Sequence, residues 1–328
     1  MEAPRKVASD VLAVQLLPLR TDEIVDPAVA AGRTAGTYYA DLLRRNGLAP
    51  RDGDILVVSS KVTAFHEGCA VRLADVRASW KARVLGRLFR KDPRKLQLIM
   101  ETGRVAVAIP MCWIFRIPAI RRAMQETSAN PEAMRRAFAR NNAFVLMVNA
   151  HGTYFDDAGI DYSNAPDGVV TILPKDPCAT ASRIRTQLAQ EFGVDAAVII
   201  TDTAAKLGRI GSNDVAIGYA GMDPVTRLTF SDDLFGVPRS GGVDVIVDSV
   251  AATAGLVMGQ TTEMTPGVLV RGVAYEPERA AGGPAGMEAV AYPRRTVWKA
   301  TVLTVLVTAW FFLANALTLQ RWPRRTRA

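Results

Sequence analysis

Five short apolar runs punctuate the chain: VLAVQLL at residues 11–17, DILVVSS at 54–60, FVLMVN at 144–149, AVIIT at 197–201 and DVAIGY at 214–219. Each has the length of a strand, and the stretches between them carry helical periodicity. This alternation restricts the chain to an α/β class with mixed α+β sheets, and a composition of 49% hydrophobic and 22% charged residues over 328 positions is enough to bury a full core.

Two helices can be read from their ends. Asp176 is an N-cap acceptor with Pro177 in the first helical position, and Gly193 follows the last turn; Ile184, Leu188 and Phe192 recur on one face between them. A second helix is predicted after Asp248, running through SVAATAGLVM to Gly259. The segment AAGGPAG, residues 280–286, is a flexible stretch that closes the folded domain, assigned to residues 1–286.

Residues 300–320 carry no charge and are flanked by Trp298 and Trp322, the pattern of a helix crossing the ~30 Å hydrocarbon layer. The expected layout is therefore a linker at 287–299, a single-pass C-terminal membrane anchor at 300–320 and a basic tail at 321–328. Basic residues on both sides leave its orientation open. No apolar h-region opens the chain, which places the large domain in the cytoplasm. Residues 80–140 are strongly basic, and WIFRIPAI at 113–120 suits either an interfacial or a solvated helix.

Cys69, Cys112 and Cys178 have no disulfide or zinc spacing and read as reduced packing residues; His66 and His151 lack metal-ligand partners. The net charge of +8 suits acidic ligands, nucleic acid or an anionic surface equally.

Three clusters could carry chemistry. Ser59, Ser60 and Lys61 stand at the end of an apolar strand, where two hydroxyls and a cation can grip phosphate, although solvated Ser-Ser-Lys segments are common. HGTYFDDAGIDYSN, residues 151–164, crowds Asp156, Asp157 and Asp161 into a loop, giving either a hard-cation site or a set of Asx turns. AVIITDT sets Asp202 and Thr203 at a strand end, where open α/β sheets commonly bind ligands.

SSK with a nearby EG, AGID.SN, ITDT, G..DVAIG, D.FG.P and LVMGQTTE followed by VLVRG occur here in the order found in coenzyme F420:L-glutamate ligases. The chain resembles that family over residues 17–272, with an insertion at about 109–140. The resemblance implies a γ-glutamyl ligase-like α/β homodimer that adds L-glutamate to the carboxylate of a deazaflavin coenzyme F420 precursor. GTP is hydrolysed in the process, with two divalent ions (Mg²⁺ or Mn²⁺), often with K⁺, and without a nucleic-acid partner.

By the same resemblance Asp161 and Asp202 match ligands of one metal, and Thr203 and Gln260 those of the second. Leu17, Pro18, Leu19, Arg20, Ser59, Ser60, Lys61, Asn164 and the loop Met258, Gly259, Gln260, Thr261, Thr262 and Glu263 match the GTP site. Lys61, Asp161 and Asp202 are the implied catalytic residues. Two segments depart from the family pattern: AAKLGR at 204–209 replaces an FGRPWR-like segment, and FDDAG at 155–159 puts two carboxylates where CANAG is usual. The second departure is unfavourable beside phosphate unless a cation offsets it. A related amino-acid ligase with another carboxylate acceptor, and an inactive membrane-anchored nucleotide-binding relative, are the alternatives.

Overall fold

In the computed structural model, residues 13–103, 105–134, 144–206, 211–226, 231–238, 243–278, 287, 290 and 294–317 are described. The chain divides into a unit from Met1 to Ala291 and a second from Tyr292 to Ala328.

The first unit is built on a five-stranded sheet of order β1-β12-β2-β8-β9, with β1 (Gln15–Leu19), β2 (Ile55–Ser59), β8 (Ala197–Ala205), β9 (Ser212–Ala220) and β12 (Gly267–Arg271). β2 and β8 pair in parallel, and β12 runs antiparallel to both β1 and β2. The C-terminal ends of β1, β2 and β8 therefore lie along one edge, beside the loop that enters β12. Smaller sheets join β3 (Ala70–Arg72) to β7 (Val169–Thr171), and β4 (Val105–Ile109), β5 (Val145–Ala150) and β6 (Thr153–Asp156) to one another. A two-stranded pair joins β10 (Val225–Thr226) to β11 (Asp244–Val245).

The helices follow from local chemistry. α1 (Ala35–Arg45) starts where Thr34 Oγ1 accepts from Thr37 N, and α2 (Ser60–His66) leaves β2 without an intervening loop. α3 (Trp80–Leu88) and α4 (Pro93–Thr102) are capped by Ser79 and Asp92, and α5 (Pro118–Thr127) follows a short turn at Met111–Ile114. α6 (Pro177–Phe192) has the predicted ends: Asp176 Oδ1 accepts from Ala179 N at 2.9 Å, and Gly193 takes φ +70°. α7 (Ile246–Met258) begins three residues before its expected start. Asp248 is not its cap; its carboxylate accepts from Ala216 N of β9 at 2.9 Å.

Tyr38 and Leu42 of α1 and Ile184 and Leu188 of α6 bury against Val58 and Ile200 on one sheet face, while Val247, Ala251 and Met258 of α7 cover Ile55, Val57 and Ile199 on the other. Covered on both sides, β2 reads as an unbroken apolar run rather than an alternating one. A third cluster joins Leu96 and Ile99 of α4 to Leu146 and Val148 of β5.

One buried ion pair fastens β12 to the start of β2. Arg271 Nε and Nη2 donate to the Asp54 carboxylate at 2.9 and 2.7 Å, and Asp54 is only 3% exposed. Arg271→Met leaves that carboxylate buried with the Arg51 amide as its remaining donor. The expected cost is about 3–5 kcal/mol, read as a lower urea midpoint, with part of it recovered in the double variant Arg271→Met/Asp54→Leu. An unchanged midpoint would show that the pair contributes nothing.

The membrane anchor is not borne out. The second unit contains α8 (Arg294–Leu317), but among the described residues no helix is long and apolar enough to cross a membrane. Residues 294–299 bring Arg294, Arg295 and Lys299 into its first turns. The flexible stretch at 280–286, residues 135–140 of the basic region and the basic tail at 321–328 lie outside the described residues.

Candidate active site

The clusters at 59–61, 161–164 and 202–203 meet at the edge where the parallel strands end. Ser59 is in register with Thr201, and the residues that follow them, Ser60 at the start of α2 and Asp202 in β8, are joined by a hydrogen bond from the Ser60 hydroxyl. A small cavity of about 20 Å³ is lined by Ser60, Lys61, Asp161, Thr171 and Asp202. Lys61 Nζ donates to Asp161 Oδ2 at 2.6 Å and to Ser163 Oγ at 3.1 Å, and also reaches the Ser163 carbonyl. Asp161 is held in place by a backbone bridge to Thr171 and by accepting from Ser163 N at 2.9 Å.

The two carboxyls are tuned in opposite directions. Burial pushes Asp202 up to about 7, with the Thr203 amide, the Ser60 hydroxyl and the Lys61 charge only partly opposing it. Burial also acts upward on Asp161, but the charge and hydrogen bond of Lys61 and the two donors of Ser163 outweigh it and hold this carboxyl below the usual range. A cation placed between the two would relieve the desolvated Asp202 carboxylate.

Alternation along β8 sends Thr203 to the other face. It stands opposite Asp214 of β9, its hydroxyl is 3.0 Å from Asp214 Oδ1 and 2.7 Å from Gln260 Oε1, and Gln260 Nε2 donates to Asp214 Oδ1 at 2.8 Å. Burial raises the Asp214 carboxyl, against the hydrogen bonds of Thr203 and Gln260. Gly255 of α7 permits this approach, since a Cβ there would lie 2.3 Å from Asp214 Oδ2. The two implied ligand pairs, Asp161 with Asp202 and Thr203 with Gln260, are thus gathered into two oxygen sets on opposite faces of one strand end.

Asn164 Nδ2 donates to the Thr261 carbonyl at 3.1 Å, tying the Asp161 loop to the segment before β12. Thr21 N donates to the Met264 carbonyl, and Ser59 N to the Pro266 carbonyl, drawing residues 17–20 and 59–61 to that same segment. Other expected residues face elsewhere. Leu19 and Met258 are core side chains, and Leu17 packs against the core. Pro18 lies within the β1–β12 ladder, and Arg20 binds Asn46 through its backbone. Glu263, exposed, folds back on its own loop to accept from Thr261 N and Oγ1, while Gly259, Gln260, Thr261 and Thr262 form the loop that carries it.

Asp214, Ser163, Lys91 and Lys95 have no assigned role in the motifs. The two lysines resolve the FDDAG departure: Lys91 and Lys95 place their Nζ atoms 2.7 and 3.0 Å from Asp157 Oδ2, supplying the offsetting cations. Of the AAKLGR departure, Ala204 and Ala205 complete β8, and residues 207–209 lie outside the described residues.

Among the described residues no three His, Cys, Asp or Glu side chains form a metal group. Two carboxylates with hydroxyl and amide oxygens nonetheless fit hard divalent ions that complete their shell with water and phosphate oxygens.

A family model described as F420-0:Gamma-glutamyl ligase matches residues 23–272. The chain belongs to the F420-0:gamma-glutamyl ligase family. It is 29% identical over 257 residues to the coenzyme F420:L-glutamate ligase of Methanothermobacter thermautotrophicus, covering 78% of this chain and 90% of the relative. It is 30% identical over 248 residues to that of Methanopyrus kandleri, covering 76% and 86%. Relative to Methanosarcina mazei the figures are 30% over 226 residues, 69% and 76%. In this family member the clusters at 59–61 and 202–203 lie at strand ends, where open α/β sheets commonly bind ligands.

Proposed function

We propose that this chain is a GTP- and divalent-metal-dependent ligase that joins L-glutamate to the carboxylate of a coenzyme F420 precursor through an acyl phosphate. The observation that carries the reading is the convergence of Lys61, Asp161 and Asp202 at the ends of β2 and β8 in a chain matched along this length to the ligase family.

A carboxylate is a poor electrophile and must first be activated. One carboxylate oxygen of the precursor attacks the γ-phosphorus, the bond from that phosphorus to the β-bridging oxygen breaks, and GDP leaves. The glutamate amine then attacks the acyl carbon, and phosphate departs with the attacking oxygen. Divalent ions bound by Asp161 and Asp202, and by Thr203 and Gln260, would neutralise charge on the phosphate chain. Lys61, held at the junction of both loops, supplies a fixed cation facing the transferred group, and the Ser60 hydroxyl and the loop at 259–263 position the nucleotide.

The chemistry predicts where an isotope goes. With the precursor carboxylate labelled with ¹⁸O, one labelled oxygen should appear in inorganic phosphate for each amide formed. Phosphate free of label, with the amide still formed, would contradict the acyl-phosphate route. The altered segment at 204–209 favours one second reading, a ligase for a different carboxylate acceptor; in that case phosphate release would depend on the other acid and not on the F420 precursor.

A further inference from the structure

Asp161 sits in a loop whose shape is costly to hold. Asp157, Ala158 and Gly159 take φ of +52°, +63° and +71° in succession, a left-handed run that two of these residues would not adopt unaided. Gly159 cannot be exchanged for a larger residue, because a Cβ there would meet Leu173 at 2.7 Å. Three residues in this conformation persist only where the surroundings over-determine them.

The surroundings are a helical hairpin from the basic part of the chain. Lys91 lies at the bend between α3 and α4, its amide donating to the Gly86 carbonyl at 2.9 Å, and Lys95 lies in the first turn of α4. Both side chains are nearly buried, at 8% and 13% exposure, and both end on Asp157 Oδ2. The other oxygen, Oδ1, accepts from Leu146 N of β5 at 3.1 Å, so the carboxylate is fixed from two sides. Lys95 Nζ also lies 4.6 Å from the centroid of Tyr162, the residue after Asp161. One ammonium thereby touches the chain on both sides of Asp161.

We propose that Lys95, with Lys91 and Asp157, is a positioning device for the metal-binding carboxylate: the α3–α4 hairpin clamps the Asp161 loop in the geometry that accepts a divalent ion. The clamp rests on the reading of Asp161 as a metal ligand. It also accounts for the aspartate at position 157, which serves as the anchor of the loop rather than as a ligand of it. Groups that orient a ligand from outside its coordination shell commonly change metal affinity about 10–100-fold when removed.

The test is Mn²⁺ binding by isothermal titration calorimetry on the full chain, together with amide hydrogen exchange across residues 157–163. Lys95→Met should weaken Mn²⁺ binding about 10-fold and speed exchange in that loop, and Lys95→Arg should recover most of both. The turnover response should split the same way, with the metal concentration for half-maximal rate rising more than kcat falls. Asp157→Asn, which keeps a carbonyl oxygen for Leu146 N, should reproduce the pattern if Lys95→Met does not fold. Wild-type affinity and wild-type exchange in both variants would overturn the clamp alone. Absence of Mn²⁺ binding in the wild-type protein would instead overturn the metal reading of Asp161 and the clamp with it.

Discussion

Asp202→Asn is expected to lower turnover by on the order of 10³-fold while raising the melting temperature of the metal-free protein at pH 8. Turnover falls because the change removes a charged oxygen from the point where phosphate charge must be met. Stability rises because burial has already pushed this carboxyl up to about 7, so at pH 8 the metal-free fold carries a charge that it solvates poorly. The sign follows from linkage. The folded-state value lies above the unfolded value of about 3.9, so stability from this group is full below pH ~4 and is lost as pH rises towards 7. Asparagine keeps the shape and the acceptor for the Thr203 amide without the charge. Calorimetry should therefore find the variant and parent alike near pH 4 and the variant more stable above pH 7, with Mg²⁺ closing the gap by stabilising only the parent. A variant that turns over normally would place Asp202 outside the site, and one that melts lower at pH 8 would contradict the raised carboxyl.

Lys61→Leu should cost about 10²-fold or more in kcat and move the acid limb of the rate profile to higher pH. The ammonium is what holds the Asp161 carboxyl down against burial. Without it the carboxyl titrates higher, and protonation competes with the divalent ion over a wider range of acidity. Lys61→Arg should rescue only in part. The site fits a point charge between Asp161 Oδ2 and Ser163 Oγ, at 2.6 and 3.1 Å, and a planar fork is a different shape. An unmoved acid limb in Lys61→Leu would separate Lys61 from Asp161.

What could be read from the sequence was whatever its neighbours decide. α6 was legible to the residue because Asp176, Pro177 and Gly193 act within one turn of its ends. The start of α7 was not, because Asp248 has the side chain of a cap but spends it on a β9 amide 32 residues away. The same division runs through the site. Ser60, Lys61 and Asp202 could be found from strand ends, whereas Asp214 needs the β8–β9 register that sets it opposite Thr203. Lys91 is one of many basic residues between 80 and 140, and only the fold brings it to Asp157, 66 residues on. At the C-terminus the absence of charge is plain at 300–320, but a span needs a helix both long and apolar, and none among the described residues is.

The mass of the product decides whether this chain is the proposed ligase. The full chain, GTP, Mg²⁺, L-glutamate and the F420 precursor are incubated together, and the precursor is followed by mass spectrometry in parallel with GDP. Expected is a precursor heavier by one or more glutamyl residues, at one GDP for each residue added, and no product when glutamate, GTP or metal is left out or when Asp202→Asn replaces the parent. A precursor of unchanged mass, from folded protein under conditions in which an established family member completes the reaction, would contradict the assignment.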